Sequence, residues 1–406
     1  MANKNGGFIG TDGLDAPDPP TAVTPTAGEG QVSVAFTAPT NVGTSAITGF
    51  VVQVSTNDTA YSAGSNTGSS SPIVVSSLTN GTAATAKVWA INAYGTSAPS
   101  EASASFTPSV DTTSRGIFAL GYVYGYSDVI NYIDLSSTGN ASDFGDLSVT
   151  GESADAVASA TRGVFGGRYN GALRNTIDYV TLASTGDATD FGDMNVNKRR
   201  YGAASSSTRG LFACGNSGSF QNSIEYITIA NTGNGTDFGD DGYTRQSIGA
   251  CSSTTRALFG GGYNNTADTD IAYINYVTIA NTGNSTNFGD LTVARQTEAA
   301  SSNTRGVFLG GYSNPNSAYM NTIDYVTIGS TGNASDFGDI STASNRRAAT
   351  SNGTNAVFNK SNASGSNLNT LEFITIANTG NSSDFGDLTA ISRNGCATSG
   401  GHGGLS

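Results

Sequence analysis

Short runs of alternating apolar and polar residues, separated by Gly, Asn, Ser and Asp, recur along most of the chain. Residues 200–205, 209–215 and 223–229 are three such runs in succession. Runs of β-branched and aromatic residues bounded by turn-forming residues predict β-strands. No segment has sustained helical periodicity, and 53 glycines among 406 residues disfavour helices. The pattern therefore predicts an all-β protein.

One nine-residue stretch, called here the repeated segment, recurs six times in the C-terminal three-quarters of the chain. Its first copy reads TGNASDFGD at 138–146, and successive copies lie 47 to 50 residues apart. Each unit between copies contains four strand-like runs, and a period near this length predicts the blades of a β-propeller. The aromatic residues of the six copies are Phe144, Phe191, Phe238, Phe288, Phe337 and Phe385.

The two ends of the repeat region predict how the propeller closes. The first unit begins at its second strand, 115–118, whereas an unpaired strand-like run at 392–398 follows the last copy. Pairing this run with the first unit completes six blades and removes an exposed sheet edge. We therefore expect a six-bladed propeller over 114–400, closed by its C-terminal strand, and a flexible tail over 401–406.

Each unit resembles the kelch repeat. The resemblance covers about 113–400 and lies in the order of the parts: a basic residue before the first strand, a Gly pair ending the second, and an aromatic residue in the fourth. The Gly pair is present at 166–167, 261–262 and 310–311, and Phe stands where kelch repeats usually carry Trp. The resemblance implies the architecture and says little about function.

Residues 19–108 resemble a fibronectin type III domain, which implies a seven-stranded sandwich. The resemblance rests on the runs at 31–36, 47–54 and 88–97, with Phe36 in place of the family's usual Trp and Ala84 at its tyrosine-corner position. Residues 1–18 are expected to form an extended arm and 109–113 a linker. Phe8, Ile9 and Trp89 are the candidate anchoring residues, although Trp89 has the alternative role of covering its own sheet.

Composition narrows the function. The net charge of −13 disfavours nucleic-acid binding, and no run of apolar residues is long enough to predict membrane insertion. No export signal is apparent at the N-terminus. Cys214, Cys251 and Cys396 are expected to be small buried residues. The single histidine, His402, excludes sites that need two histidines, so the chain is expected not to be an enzyme.

Two recurring polar features are expected to have structural roles. Asp143, Asp146 and their equivalents are expected to accept N–H bonds within a turn, with Ca²⁺ binding as the alternative and no cofactor otherwise expected. A second-strand arginine recurs in five units and becomes Asn355 in the sixth. These arginines are expected to bond to carbonyls or carboxylates of a neighbouring blade. They are Arg115, Arg162, Arg209, Arg256 and Arg305.

The loops in which the repeats disagree are the candidate ligand face. Loops between second and third strands and loops between successive blades open on the same side of a propeller, and here they carry Tyr, Asn and Arg. Such residues make adaptable recognition surfaces, and aromatic faces suit sugar rings. The alternative is that these rings pack between blades and the arginines are scaffold bonds. The candidates are Tyr122, Tyr124, Tyr126, Arg168, Tyr169, Arg199, Phe220, Tyr263, Tyr312, Tyr319 and Arg346.

An N-terminal arm, an Ig-like domain and a low-charge repeat region together resemble tail, fibre or capsid-surface proteins of tailed bacteriophages. The resemblance implies a non-enzymatic structural or adhesion protein of the virion tail or capsid surface. Its arm and fibronectin-like domain would bind other virion proteins, and its propeller would bind host-surface glycan or protein. The alternatives are a decoration protein without a ligand, a cellular adhesin, and a carbohydrate-active enzyme, for which no unique acid pair stands out. The oligomeric state stays open.

Overall fold

The structure is a computed structural model that describes residues 15–119, 121–122, 124–345, 348–360 and 368–405. Regular structure in these residues consists of 34 β-strands, without a helix. The chain divides into two compact units, the first ending at Asp111 and the second beginning at Thr112. This division falls inside the predicted linker.

The first unit contains seven strands in two antiparallel sheets. They are β1 (Thr21–Gly28), β2 (Gln31–Thr37), β3 (Ile47–Ser55), β4 (Gly64–Gly68), β5 (Ile73–Val75), β6 (Thr85–Asn92) and β7 (Gly95–Thr96). One sheet has the order β1-β2-β5 and the other β4-β3-β6-β7. Both sheets contribute to a single hydrophobic core, in which Val34, Val52 and Val88 are fully buried and Phe36 packs on Phe50 at 4.8 Å between ring centroids. Alternation along the strands predicts which side chains enter this core.

Three serines at three-residue spacing run along the free side of β6, a feature that the sequence patterns did not predict. Ser97, Ser100 and Ser103 are buried, and their backbone N–H groups donate to the carbonyls of residues 90, 88 and 86. Their hydroxyls accept from the amides of the same three residues at 2.9, 2.9 and 3.0 Å. Side-chain oxygens thus complete the hydrogen bonding of this edge where a regular strand is absent.

The second unit contains the remaining 27 strands. They are β8 (Arg115–Ala119), β9 (Ser127–Asp134), β10 (Ser142–Gly151), β11 (Asp155–Ala158), β12 (Arg162–Tyr169), β13 (Leu173–Thr181), β14 (Thr189–Asp193), β15 (Gly202–Ser205), β16 (Arg209–Ala213), β17 (Ser223–Thr228), β18 (Thr236–Asp240), β19 (Arg245–Gln246), β20 (Gly249–Ser252), β21 (Arg256–Gly260), β22 (Tyr263–Asn264), β23 (Thr269–Asp270), β24 (Tyr273–Thr278), β25 (Thr286–Asp290), β26 (Gln296–Ser301), β27 (Arg305–Ser313), β28 (Ala318–Thr327), β29 (Ser335–Asp339), β30 (Ala349–Ser351), β31 (Asn355–Asn359), β32 (Thr370–Thr375), β33 (Ser383–Asp387) and β34 (Cys396–Ser399).

Six four-stranded antiparallel sheets, numbered here in chain order, account for most of these strands. Sheet 1 has the order β34-β8-β9-β10, sheet 2 is β11 to β14, and sheet 3 is β15 to β18. Sheet 4 is β20-β21-β24-β25, sheet 5 is β26 to β29, and sheet 6 is β30 to β33. Strands β19, β22 and β23 form a small separate sheet. The pairing of β34 with β8 supplies the first strand that the first repeat lacks.

The first strands of the six sheets contact one another in cyclic order, β34-β11-β15-β20-β26-β30 and back to β34. Six hydrophobic cores follow the same cycle among the described residues. Each contains side chains of two consecutive sheets, and one joins sheet 6 to sheet 1 through residues such as Val357 and Phe118. Every core includes the Phe of one repeated segment. The repeated segment thus contributes one phenylalanine to each core between consecutive sheets, and the second strand of the following sheet contributes another.

The repeated segment bonds each sheet to the next. In sheet 3 the Phe238 carbonyl accepts from Gly283 N–H, and the Asp240 N–H donates to the side chain of Asn284 at 3.0 Å. Gly239 has φ +145°, and a Cβ there would lie 2.5 Å from the Gly283 carbonyl oxygen. The same contacts recur around the cycle and end with Gly386 against Gly139. The side chain that accepts the backbone N–H bond is therefore that of the third residue of the segment. We had expected the aspartates of the segment to be the acceptors.

The recurring arginines also join consecutive sheets. Arg209 donates from Nη1 to the carbonyls of Ile279 and Ala280 in sheet 4, at 2.8 and 3.0 Å, and lies over the ring of Tyr226 at 4.2 Å from its centroid. Arg115, Arg162, Arg256 and Arg305 make equivalent carbonyl bonds. Asn355 completes the cycle by donating to Leu135 O at 3.1 Å. Carbonyls of the neighbouring sheet, one of the two expected kinds of acceptor, are used by all five arginines.

Candidate functional site

An open pocket in the second unit collects several of the variable loops. Its volume is about 370 Å³. Three tyrosines line it, together with Arg200 and four side-chain amides. We call it the rim pocket. The tyrosines are Tyr263, Tyr312 and Tyr319, and the amide residues are Gln246, Gln296, Asn314 and Asn345.

A narrower cavity of about 110 Å³, called here the upper cavity, continues from the rim pocket. Arg200, Gln296 and Asn345 line both. Below it lies a lower cavity of about 50 Å³. Six alanines, one from the first strand of each sheet, line both the upper and the lower cavity and so mark the constriction between them. They are Ala156, Ala203, Ala250, Ala299, Ala349 and Ala397.

Serines lie two residues after the alanine in five first strands, and we call them the serine ring; four of them line the lower cavity. Each hydroxyl donates to the backbone carbonyl of the preceding sheet, as in Ser252 Oγ to Ser205 O at 2.8 Å and Ser301 Oγ to Ser252 O at 2.7 Å. The ring members are Ser205, Ser252, Ser301, Ser351 and Ser399. Sheet 2 carries Ala158 at this position, so one hydroxyl is missing from the cycle.

His402 lies next to the position of the missing hydroxyl, at the junction of sheets 2 and 3. Its Nε2 lies 3.2 Å from Ala158 O and 3.0 Å from Ser205 Oγ, and its Nδ1 accepts from Gly404 N–H at 3.1 Å. Because Nδ1 is an acceptor, the ring is neutral with its proton on Nε2. Burial disfavours the charged form and lowers the pKa of His402 to about 4. The tail that we expected to be flexible therefore closes the lower cavity, with Gly403 and Gly404 buried beside the serine ring.

Two carboxylates line the upper cavity. Asp155 begins β11 in sheet 2, and Glu298 holds the equivalent position of β26 in sheet 5, three steps away in the cycle of six. Asp155 accepts from the N–H groups of Ala156 and Ala203 at 2.8 and 2.7 Å, and its burial raises its pKa to about 7. The sequence analysis missed this pair because neither residue recurs. The other four sheets carry Cys396, Gly202, Gly249 and Ala348 there.

A chain of stacked side chains lies across the loops of sheets 1 and 2. Tyr122 packs edge-on against Tyr126 at 5.5 Å, and Tyr126 against Tyr169 at 6.0 Å. The Arg199 guanidinium lies 4.2 Å from the centroid of Tyr169. These four predicted ligand-face residues are half-buried and contact one another. Tyr124, by contrast, is 92% exposed.

The remaining aromatic candidates lie at or beside the rim pocket. Phe220 packs edge-on against Tyr263 at 5.8 Å, and Tyr312 against Tyr319 at 5.4 Å. The Tyr263 hydroxyl donates to Asp268 at 2.5 Å. The structure thus separates the predicted face into two groups, the stack around Tyr126 and the rim pocket, and does not unite them in one cavity.

Arg168 is a correction, because it is 1% exposed and cannot belong to a ligand face. Its guanidinium bonds to Val149 O and forms an ion pair with Asp178 on β13 at 2.6 Å. A buried carboxylate on the third strand requires a buried cation. In sheets 3, 5 and 6 the third-strand carboxylate also forms an ion pair, but the cation comes from a different position of the repeat. The pairs are Lys198–Glu225, Arg295–Asp324 and Lys360–Glu372.

The anchoring candidates are only partly described. Phe8 and Ile9, and also Arg346 of the ligand face, lie outside the described residues. Trp89 is half-buried on β6, and its indole packs edge-on against Tyr61 at 6.4 Å. Lys87 lies over the same tyrosine, 4.9 Å from its centroid. These contacts correspond to the alternative in which Trp89 covers its own sheet.

Other chemistry is sparse in the part of the chain that the structure describes. No group of three or more His, Cys, Asp or Glu side chains there is arranged to hold a metal ion. The three cysteines are free and buried, and burial raises the pKa of Cys251 to about 12. The described residues also include no apolar helix long enough to cross a membrane.

No protein-family model and no curated protein sequence matches the chain. A crystal structure of domains from titin is similar to part of it, with 28% sequence identity and a TM-score of 0.21. The match covers 23% of this chain and 32% of the titin chain, so this chain spans about a third of that structure. A TM-score at this level does not establish a shared fold.

Proposed function

We propose that this chain is a non-enzymatic glycan-binding protein of a virion surface, in which the rim pocket receives the glycan. The observation that carries the proposal is the rim pocket itself, where Tyr263, Tyr312 and Tyr319 stand among four side-chain amides. Tyrosine faces pack against the apolar faces of sugar rings, and amides both donate to and accept from sugar hydroxyls. Pockets that combine flat apolar surface with a few convergent polar groups suit small polar ligands.

The architecture proposed with this function is a fibronectin-like sandwich followed by a six-bladed propeller closed by β34. Support comes from the cyclic contacts of the six first strands and from the pairing of β34 with β8. For the first unit, support comes from two sheets that share one core. Loops that join second to third strands would then gather at one end of the central channel, where the rim pocket lies.

The virion assignment rests on the combination of an arm, an Ig-like domain and a repeat region. Immunogold labelling of phage particles with antibody to residues 112–406 tests it. Label at the tail would agree with host attachment, and label over the head with decoration. Particles without label would overturn the virion assignment and favour a cellular adhesin.

Glycan binding is tested by the double variant Tyr263→Ala, Tyr312→Ala on immobilised host-surface polysaccharide. We expect at least a tenfold loss of affinity, because stacked aromatic faces each contribute about 1 kcal/mol. Tyr124→Ala is the matched control, since Tyr124 is exposed and does not line the pocket. Unchanged binding by the double variant would sink the rim-pocket site. If the wild-type chain binds no host glycan, the remaining proposal is a decoration protein without a ligand.

A hydrolase is the second candidate, favoured by one observation. Asp155 and Glu298 line the same cavity. They form a unique pair of acids, which could not be recognised from the sequence. The raised pKa of Asp155 is of the kind that a general acid requires. Reducing-end release from host polysaccharide by the wild-type chain, and its loss in Glu298→Gln, would establish this function. Intact polysaccharide after long incubation would exclude it for that substrate.

A further inference from the structure

We propose that the site binds the end of a glycan chain, with a single neutral terminal hexose in the upper cavity and the next residue against the rim tyrosines. This inference rests on the proposed glycan-binding function and adds the mode of binding and the class of terminal sugar. Three features carry it: the continuity of the two spaces, the closed bottom of the lower one, and the polarity of the wall.

Continuity follows from shared walls. Arg200, Gln296 and Asn345 belong both to the rim pocket and to the upper cavity, so a ligand can extend from one to the other. The rim pocket provides aromatic surface, whereas the upper cavity is lined by first-strand residues of all six sheets and by residues that precede them. A glycan that binds only across the rim pocket would leave the upper cavity empty.

The bottom of the channel forbids threading. Below the upper cavity, six alanines narrow the channel, and the lower cavity of about 50 Å³ is closed by His402 and the serine ring. A continuous polysaccharide therefore cannot pass through, and only a chain terminus can enter. The 110 Å³ of the upper cavity gives room for roughly seven to eleven water-sized groups, at about 10–15 Å³ each. That space is comparable with one sugar ring.

The wall of the upper cavity favours a ligand rich in hydroxyl groups and without negative charge. Asp155 and Glu298 both line it, and carboxylates accept hydrogen bonds from sugar hydroxyls. Ser153 lines the same cavity, is 6% exposed, and its hydroxyl has no hydrogen-bond partner. A buried hydroxyl without a partner is costly, and a ligand hydroxyl would satisfy it. Glu298 and the ionised form of Asp155 would repel an acidic sugar, and Arg200 is the cation that lines the same cavity, at its junction with the rim pocket.

The experiment uses the full chain and two kinds of probe. Glucose, galactose and mannose, and a linear trisaccharide of each, are examined by saturation-transfer NMR, and immobilised host-surface polysaccharide is examined in parallel. We expect at least one hexose to bind, and its trisaccharide to receive saturation mainly at one terminal residue. Equal saturation of the middle residue would overturn end-on binding.

Ala250→Leu fills the channel from sheet 4 and Ala349→Leu from sheet 6. Each should weaken hexose binding at least tenfold while leaving the thermal midpoint of unfolding near that of the wild type. Should neither variant fold, the terminal-residue saturation pattern of the wild-type chain decides the question. Polysaccharide binding without any hexose signal, or unchanged binding by a folded leucine variant, overturns only this inference. Absence of binding to both probes overturns the proposed function as well.

Discussion

The outer junctions between the sheets and the acidic position of the upper cavity obey opposite rules, although the same repeats build both. At the junctions, the repeated segment makes the same contacts at every step, from Gly145 against Gly186 to Gly386 against Gly139. In the upper cavity, the position before the recurring alanine holds different residues, with Asp155 and Glu298 among two glycines, an alanine and a cysteine. Repetition marks contacts that each sheet needs for itself, and divergence marks places where the fold leaves the side chain free.

Buried ion pairs lie between these two extremes. The third-strand position is Asp178 in sheet 2, Glu225 in sheet 3 and Asn275 in sheet 4, and each charged residue has a nearby cation. The requirement for charge balance repeats, but the residue that satisfies it does not. A polar group can thus diverge in sequence and still be structural, which is why variation alone does not identify a site.

The largest expected effect is at one of these pairs. Arg168→Ala should lower the free energy of unfolding by about 3–5 kcal/mol, because Asp178 would stay buried without its cation. Chemical denaturation measures the loss. The double variant Arg168→Met, Asp178→Asn is the control, since sheets 1 and 4 carry Asn at this position. It should recover most of the stability. A loss below about 1 kcal/mol in the single variant would contradict the burial of this pair.

The junction rule is tested by two glycines of one contact. Gly239→Ala should destabilise by about 3 kcal/mol, because its Cβ would meet the Gly283 carbonyl oxygen at 2.5 Å and the backbone has φ +145°. Gly283→Ala is the matched control, with φ +153° and no atom within 4 Å of its Cβ. It should cost about 2 kcal/mol less than Gly239→Ala. Equal losses in the two variants would show that close approach does not explain the glycine.

His402 tests whether the closed end of the channel contributes to stability. Its pKa is about 4 in the folded protein and near 6.5 when exposed, so the unfolded chain binds the proton more readily between these values. Stability should therefore fall by up to about 3 kcal/mol as the pH drops from 6.5 to 4, and change no further below that. The comparison is with His402→Gln, whose amide can donate to Ala158 O but does not titrate.

Asp155 titrates in the opposite sense and must be separated from His402. Its raised pKa means that the folded state holds the proton more tightly, so its contribution to stability is lost as the pH rises toward 7. Both proteins in the comparison contain Asp155, and its effect cancels in the difference. Parallel stability curves for wild type and His402→Gln would show that the tail leaves the channel freely.

The sequence predicted the parts of the fold that repeat, and it failed where neighbours come from distant segments. The period placed the sheets and paired residues 396–399 with the first repeat. It could not separate Arg168, which lies within β12, from Arg199, which lies between β14 and β15, because only their partners, Asp178 and Tyr169, distinguish them. His402 looked like part of a flexible end because its partner, Ala158, lies 244 residues away.

The candidate site was predicted in part for the same reason. Rings at 263, 312 and 319 do line one pocket, as expected for variable loops of one face. The acids at 155 and 298 were missed, since each occurs once and the two meet only through the cyclic order of the sheets. Local pattern identifies elements, whereas a channel is defined by residues from every sheet.

The smallest expected effect concerns the recurring arginine, which is replaced by Asn355 at the junction between sheets 6 and 1. Arg209→Ala should cost about 2 kcal/mol, because it removes two bonds to sheet 4 carbonyls and the contact with Tyr226. Arg209→Asn should cost about 1 kcal/mol less, since Asn355 of sheet 6 already makes a single equivalent bond to Leu135 O, which follows β9 of sheet 1. Denaturant unfolding of the three proteins measures both values. If Arg209→Asn costs as much stability as Arg209→Ala, the asparagine amide does not reach the carbonyl of sheet 4. The bond made by Asn355 would then depend on local geometry that the five junctions with arginine lack.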